Sequence, residues 1–389
     1  MRWAGLVVAV GLLAACGSGP PRQTSTPPVT APKPRAHSEA LPWPTYGADN
    51  ARTRSVTARG VRPPFRRLWT FYGHALLEFP PVAGYGLLYE ESFDGRLHAI
   101  DPATGKEKWS YYSRRCGWSS PALADGLVFA TFIGDARCSP LPGGGEIAAL
   151  SAQTGRIRWR RTIDQSESSP LVADGTVYFG STNGRVYALD AATGKERWSY
   201  DTGAPVKASP ALAHGRLFVG NYAESFYALD VRTEKLLWQN GGHGNFYAGA
   251  SVAGGRVYAG SIGGSVYAFS ARSCKELWRF GTGSYVYASP AVWRGIVLVG
   301  SYDHTFYAIN GAAGTMRWDF PADGAITGPA SVVDGVVYFS TLAHKTYALN
   351  AATGHRIAEW DDGEYSPAVA ADGRLYLVGR GRIYALAPR

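Results

Sequence analysis

The stretch "VYALDAATGKERW", residues 186–198, decides the fold, because the chain writes nearly the same phrase eight times. The inner phrase appears as "LHAID" (97–101), "IAALS" (147–151), "VYALD" (186–190) and "FYALD" (226–230). It continues as "VYAFS" (266–270), "FYAIN" (306–310), "TYALN" (346–350) and "IYALA" (383–387). A tryptophan follows each of the first seven copies: Trp109, Trp159, Trp198, Trp238, Trp278, Trp318 and Trp360, spaced 50, 39, 40, 40, 40 and 42 residues apart. A fixed period near 40 is the mark of a repeat protein.

One repeat, 168–203, breaks into four short runs. "SPLVADG" stops at Asp-Gly, "TVYFGS" at "TNG", "RVYALD" at "AATG", and "KERWSY" follows. Period-2 runs closed by Gly-containing turns are hairpin strands, and four strands per 40 residues make one propeller blade. Val186, Ala188 and Asp190 share one strand face, and Tyr187 and Leu189 the other. A blade is covered on both faces by its neighbours, so both sets are core. Small Ala lets blades approach, and the Trp on the outer strand docks between blades. Outside the N-terminus no run carries helical apolar periodicity.

The eighth repeat ends after its third strand, "RIYALAPR". Its missing partner stands before the first repeat as "RRLWTFY" (66–72), with Trp69. The expectation is an all-β, eight-bladed β-propeller over 65–389, its ring closed by the N-terminal strand. Closure removes an open sheet edge.

The consensus "SPAL-DG-VY-GS-G-YALDA-TGK--W" resembles the pyrroloquinoline-quinone (PQQ)-like propeller repeat. That superfamily includes quinoprotein alcohol dehydrogenases and a lipoprotein component of the outer-membrane β-barrel assembly machinery. "WPTYGADNARTR" (43–54) resembles the segment preceding the propeller in many relatives. The resemblance implies the fold; it leaves open whether the protein is an enzyme or a scaffold.

The N-terminus, "MRWAGLVVAVGLLAACGSG", reads as a lipoprotein signal peptide over 1–15, with Cys16 the lipidated residue. Residues 16–42 are a Pro-rich tether and 43–64 a lead-in segment. The expected location is extracytoplasmic, lipid-anchored to the cell membrane, or to the outer membrane where the cell has one. The chain carries +9. Its basic residues are scattered, except for six Arg in "RTRSVTARGVRPPFRR" (52–67). That run could touch anionic lipid, but the favoured expectation is a solvated lead-in. The compartment excludes nucleic acid as a partner.

The second repeat carries about ten extra residues within "IGDARCSPLPGGGE" (133–146). This loop emerges on the same face as "SRRCGW" (113–118), so Cys116 and Cys138 are expected to form a disulfide in an oxidising compartment. Cys274 replaces a turn Gly and is expected to be a free, exposed thiol.

Loops entering the blades converge on a funnel at the axis. Counting three residues back from the "SP" proline or its counterpart (Pro81 in blade 1, Ala250 in blade 5, Pro329 in blade 7) marks Glu78, Trp118, Glu167, Lys207, Tyr247, Tyr287, Ile326 and Glu364. Apart from Ile326, these are candidate contacts for a small polar or cationic ligand, or for a partner. The resemblance to quinoprotein dehydrogenases implies a PQQ clamp built from a Trp and two adjacent cysteines, with Ca²⁺ held by Glu, Asn and Asp. The chain has no Cys-Cys dipeptide, and no "GxSxG", "HExxH" or "CxxC". His304 and His344 hold matching loop positions, but the other histidines are dispersed. The reading is therefore a non-catalytic scaffold with no catalytic residue, cofactor or metal, binding an unidentified envelope protein. A PQQ-dependent dehydrogenase or a small-ligand-binding propeller is the alternative.

Overall fold

The computed structural model describes residues 41–135, 138, 144–366 and 368–389. The described residues form strands and turns and no helix. Eight sheets result. Blade 3 is typical, with Leu171–Ala173, Thr176–Gly180, Arg185–Asp190 and Glu196–Asp201 in antiparallel order from inside to outside. Blade 8 holds Ala368–Ala371, Arg374–Val378 and Arg382–Pro388, and its outer strand is Phe65–Tyr72. Tyr72 pairs with Arg382 and Phe71 with Ile383, so the first long strand closes the ring as the repeat count requires.

The hairpin after each inner strand has positive φ at both central residues, as at Asp174–Gly175 (48° and 68°) and Asp334–Gly335 (49° and 78°). That is the type I′ turn, which matches strand twist. The two strand faces separate as the alternation requires. Val186 and Ala188 pack with Leu217 and Tyr227 of blade 4, and Leu189 and Tyr187 with Phe129 and Ile147 of blade 2.

The tryptophans weld neighbouring blades. The Nε1 atoms of Trp69, Trp109, Trp159 and Trp278 donate to Pro102, Ala152, Ala191 and Gly311 carbonyls of the next blade at 2.9–3.0 Å. Each of these four rings also lies on the turn glycine of that blade: Gly105, Gly155, Gly194 and Gly314. Serines of the "SP" step make a second weld: Ser169 Oγ accepts from Ser120 N, Ser209 Oγ from Ser169 N, and Ser289 Oγ from Gly249 N.

The lead-in segment departs from the solvated expectation. Residues 43–56 form a strap along the inner strands. Carbonyls of Trp43, Pro44, Asn50, Ala51, Thr53 and Arg54 accept from the equivalent N–H of blades 1, 2, 4, 5, 6 and 7: Ala83, Leu123, Leu212, Val252, Val292 and Val332. Ser55–Val56 then pairs in parallel with the inner strand of blade 7. Inner strands are sheet edges whose donors face the axial channel, and the strap satisfies them.

Arg52 and Arg54 are fully buried there. Arg52 donates to the carbonyls of Tyr46 in the strap, Ser169 and Pro170 entering blade 3 and Pro210 entering blade 4. Arg54 reaches Arg52 O, Ser251 Oγ and Pro290 O. Both guanidiniums lie against the Tyr46 ring, 5.2 and 4.5 Å from its centroid. Burial lowers the Arg52 pKa to about 9, with the neighbouring Arg54 charge adding to it. Of the arginines in the basic run, only Arg59, Arg62, Arg66 and Arg67 are exposed.

Candidate functional site

The strap runs along the inner strands, and the blade-entry end of the channel is a cup. Its cavity is about 310 Å³, with Tyr46 of the strap in its wall. The blade-entry residues Glu78, Glu167, Lys207, Tyr247 and Tyr287 line it, joined by Phe79, Ser209 and Ser289. Three marked positions are not among the lining residues. Ile326 is fully buried between blades and packs on Gly300. Trp118 stands edge-on to Phe93, with ring centroids 5.3 Å apart. Glu364 points to Arg380, 3.1 Å away.

In blades 7 and 8 the cup is lined instead by Thr327 and Tyr365. The reason is register. Val332 holds the strand position of Leu212, five residues after Thr327, as Leu212 follows Lys207. "TGPAS" sets its proline one residue early, and "SPAVAADG" carries one residue more than "SPALAHG". Counting back from the Asp-Gly turn, and not from proline, would have found both lining residues.

One wall is a satisfied charge pair. Lys207 Nζ is 2.9 Å from Glu167 Oε1 and lies over the rings of Tyr222 and Tyr247, 5.3 and 5.9 Å from their centroids. Tyr247 donates to Glu167 Oε2 at 3.2 Å, and burial together with that carboxylate pushes its pKa up. The opposite wall is unbalanced. Burial raises the Glu78 carboxyl to about 7; the charges of Glu167 and Glu364 add to the shift, and the Trp118 indole works against it. No described cation pairs with Glu78.

At the rim, Cys116 and Cys138 are disulfide-bonded, with Cα atoms 5.4 Å apart. Cys116–Gly117 adds a short strand to blade 2 beside Phe132 and Ile133. Arg115 braces the insertion by donating to the Gly134 and Gly144 carbonyls. Glu91, buried in blade 1, accepts from Trp118 N at 3.0 Å and Ser119 Oγ at 3.3 Å. It stands where blades 3 to 6 have Gly180, Gly220, Gly260 and Gly300, and its neighbour Glu90 stands where blade 3 has Phe179. Aligning the repeats against each other would have exposed both carboxylates.

Cys274 is not the expected free thiol. No described cysteine is free, and Cys274 is half-buried against the hydrophobic cluster of blades 4 and 5. The residue expected to carry lipid, Cys16, lies outside the described residues. No described group of three His, Cys, Asp or Glu side chains could hold a metal. His344 faces Glu364, with Nδ1 3.9 Å from Oε2.

Comparison with known proteins follows the same lines. The family described as "Outer membrane protein assembly factor BamB" matches residues 143–246 and 233–359. Those two matches span more than half of the chain, so the protein belongs to this PQQ-type propeller family. BamB of Burkholderia pseudomallei is 26% identical over 169 residues, 39% of this chain and 43% of its own length. The serine/threonine-protein kinase AfsK of Streptomyces griseus is 34% identical over 141 residues, 33% of this chain and 16% of its own length. The chain thus spans less than half the length of either relative. The solved quinohemoprotein alcohol dehydrogenase of Comamonas testosteroni superposes with a TM-score of 0.71 at 16% identity, covering 89% of this chain and 80% of its own.

The cup does not fit PQQ with Ca²⁺. The two rim cysteines are 22 residues apart in sequence, not adjacent. The Glu167–Lys207 pair occupies one wall, and no described metal-binding group of acidic side chains stands in the funnel.

Proposed function

We propose that this chain is a non-catalytic, extracytoplasmic lipoprotein whose propeller is a protein-binding scaffold in envelope protein assembly. The family supplies the direction, since its name is that of an outer-membrane protein assembly factor. The observation that carries the reading is the single stapled insertion on the cup face. All other blades are short and regular. An enzyme on this fold would need several long loops to build a deep, water-excluding pocket. A scaffold needs one rigid exposed face, and a disulfide-braced loop loses little entropy when it binds.

The partner is an envelope protein, and lipid on Cys16 holds the scaffold at a membrane. The test is in-cell photocross-linking followed by affinity capture. Deleting 134–144 should reduce recovery of the cross-linked partner several-fold, while Cys16→Ser should release the protein from the membrane fraction. Unchanged capture would discard the insertion as the contact. Stoichiometric PQQ binding with alcohol-dependent dye reduction would overturn the scaffold reading.

A further inference from the structure

The cup offers a second recognition element that the scaffold role does not use. Its two walls have the same chemistry, aromatic rings beside carboxylates, but at only one of them does a described cation pair with the carboxylate. At the filled wall Lys207 places its ammonium against Glu167 and over Tyr222 and Tyr247. The protein thus shows with its own side chain what this surface binds. At the other wall Glu78 stands with Phe79, Tyr365 and Tyr46, and Phe79 is edge-on to Tyr46 at 6.0 Å. We propose that this half of the cup is a receptor for one organic cation, the ammonium or guanidinium terminus of a small amine or of a partner's Lys or Arg side chain.

Three features support it. Aromatic faces with a carboxylate are the usual surroundings of a recognised ammonium. The charged groups acting on Glu78 are the carboxylates of Glu167 and Glu364, so the field there favours positive charge. The cations nearby are engaged elsewhere: Lys207 with Glu167, and Arg380 with Glu364 at the exposed rim. His344 faces Glu364, and Arg52 and Arg54 lie against the Tyr46 ring but are bonded to backbone carbonyls and do not line the cavity. The cavity of about 310 Å³ admits a single side-chain terminus and no folded segment.

The proposal rests on the propeller being a binding module, but it can fail separately. Isothermal titration of the mature protein would use N-acetyl-arginine amide, putrescine and the neutral N-acetyl-norleucine amide. The cations should bind and the neutral probe should not. With Glu78 titrating near 7, affinity should rise about tenfold from pH 6 to pH 8, as the ionised fraction goes from roughly one-eleventh to ten-elevenths. Glu78→Gln should weaken binding about tenfold at pH 8 and remove the pH dependence, while Glu78→Asp keeps it. A tighter arginine amide assigns the source to a partner side chain, and a tighter putrescine to a free amine. Equal binding of the neutral probe, no heat from either cation, or an unaffected Glu78→Gln protein with wild-type melting would overturn the proposal. Retained partner cross-linking in Glu78→Gln would leave the scaffold reading standing.

Discussion

Gly194→Ala is the sharpest test of how the blades are welded. Gly194 has φ +70°, and a Cβ there would lie 2.6 Å from Cε3 of Trp159. Two costs follow. An L-residue in the left-handed region costs about 1–2 kcal/mol, and forcing a methyl group into a packed contact costs about 1–3 kcal/mol. The sum is about 2–5 kcal/mol. The unfolding entropy is near 2.1 cal/mol/K per residue, or roughly 0.7 kcal/mol/K over the propeller, so the melting midpoint should fall by about 3–7 °C. Blade 4 supplies the matched control. Its turn carries Glu234 at the same position, with φ +63°. Glu234→Gly relieves about 1–2 kcal/mol of backbone strain but adds about 0.5–1 kcal/mol of unfolded-state entropy. A rise of about 1 °C is expected. Thermal melts followed by far-ultraviolet circular dichroism read both. Should Gly194→Ala melt within 1 °C of the parent protein, the docking of Trp159 on this turn would not be a weld.

Two further outcomes are expected. Glu90 is fully buried, neither carboxyl oxygen has a described hydrogen-bond partner, and burial with the Glu91 charge raises its pKa well above the usual value. A raised folded pKa gives stability that is complete below the unfolded value and lost as pH rises through the folded one. Glu90→Gln should therefore raise the melting midpoint more at pH 8 than at pH 5; an equal shift at both would refute it. Brief trypsin treatment should cut after exposed Arg59 and spare buried Arg52 and Arg54. Arg52→Met should loosen the strap and yield a new N-terminus at Ser55, detected by intact-mass analysis. Continued protection of that bond would mean that the backbone bonds alone hold the strap.

What the sequence made legible was whatever the repeat writes many times. The glycine that closes each inner hairpin, the alternation of the inner phrase and the Trp spacing each state one local requirement eight or seven times over. Trp69 could be placed because the count was short by one. The strap was illegible because it has no periodicity. Its backbone bonds go to six different blades, and its arginines are buried by carbonyls that no local pattern announces. A basic run normally means a solvated face, and here the ring of inner-strand carbonyls overrides that habit. The cup was half legible. Proline marks the lining residue in blades 1, 3, 4 and 6, and in blades 7 and 8 a one-residue slip moved Thr327 and Tyr365 into the place assigned to Ile326 and Glu364.

The strap also gives the disc a direction. Inner strands run from the cup toward the Asp-Gly turns. Leu41, where the described chain begins, packs beside Tyr85 and Leu87 at the turn end of blade 1. The described chain therefore meets the propeller at the turn end of blade 1, opposite the cup and the stapled insertion. On the proposed anchoring at Cys16, the 25 residues leading to Leu41 could span at most about 90 Å when extended. The lipid would then pull on the turn-end face, and the cup, the insertion and Glu78 would look away from that membrane. Inner-strand bonds to six blades spread such a pull over the ring instead of loading one edge strand. A scaffold held this way would present the stapled insertion and the proposed cation site to whatever lies beyond the lipid.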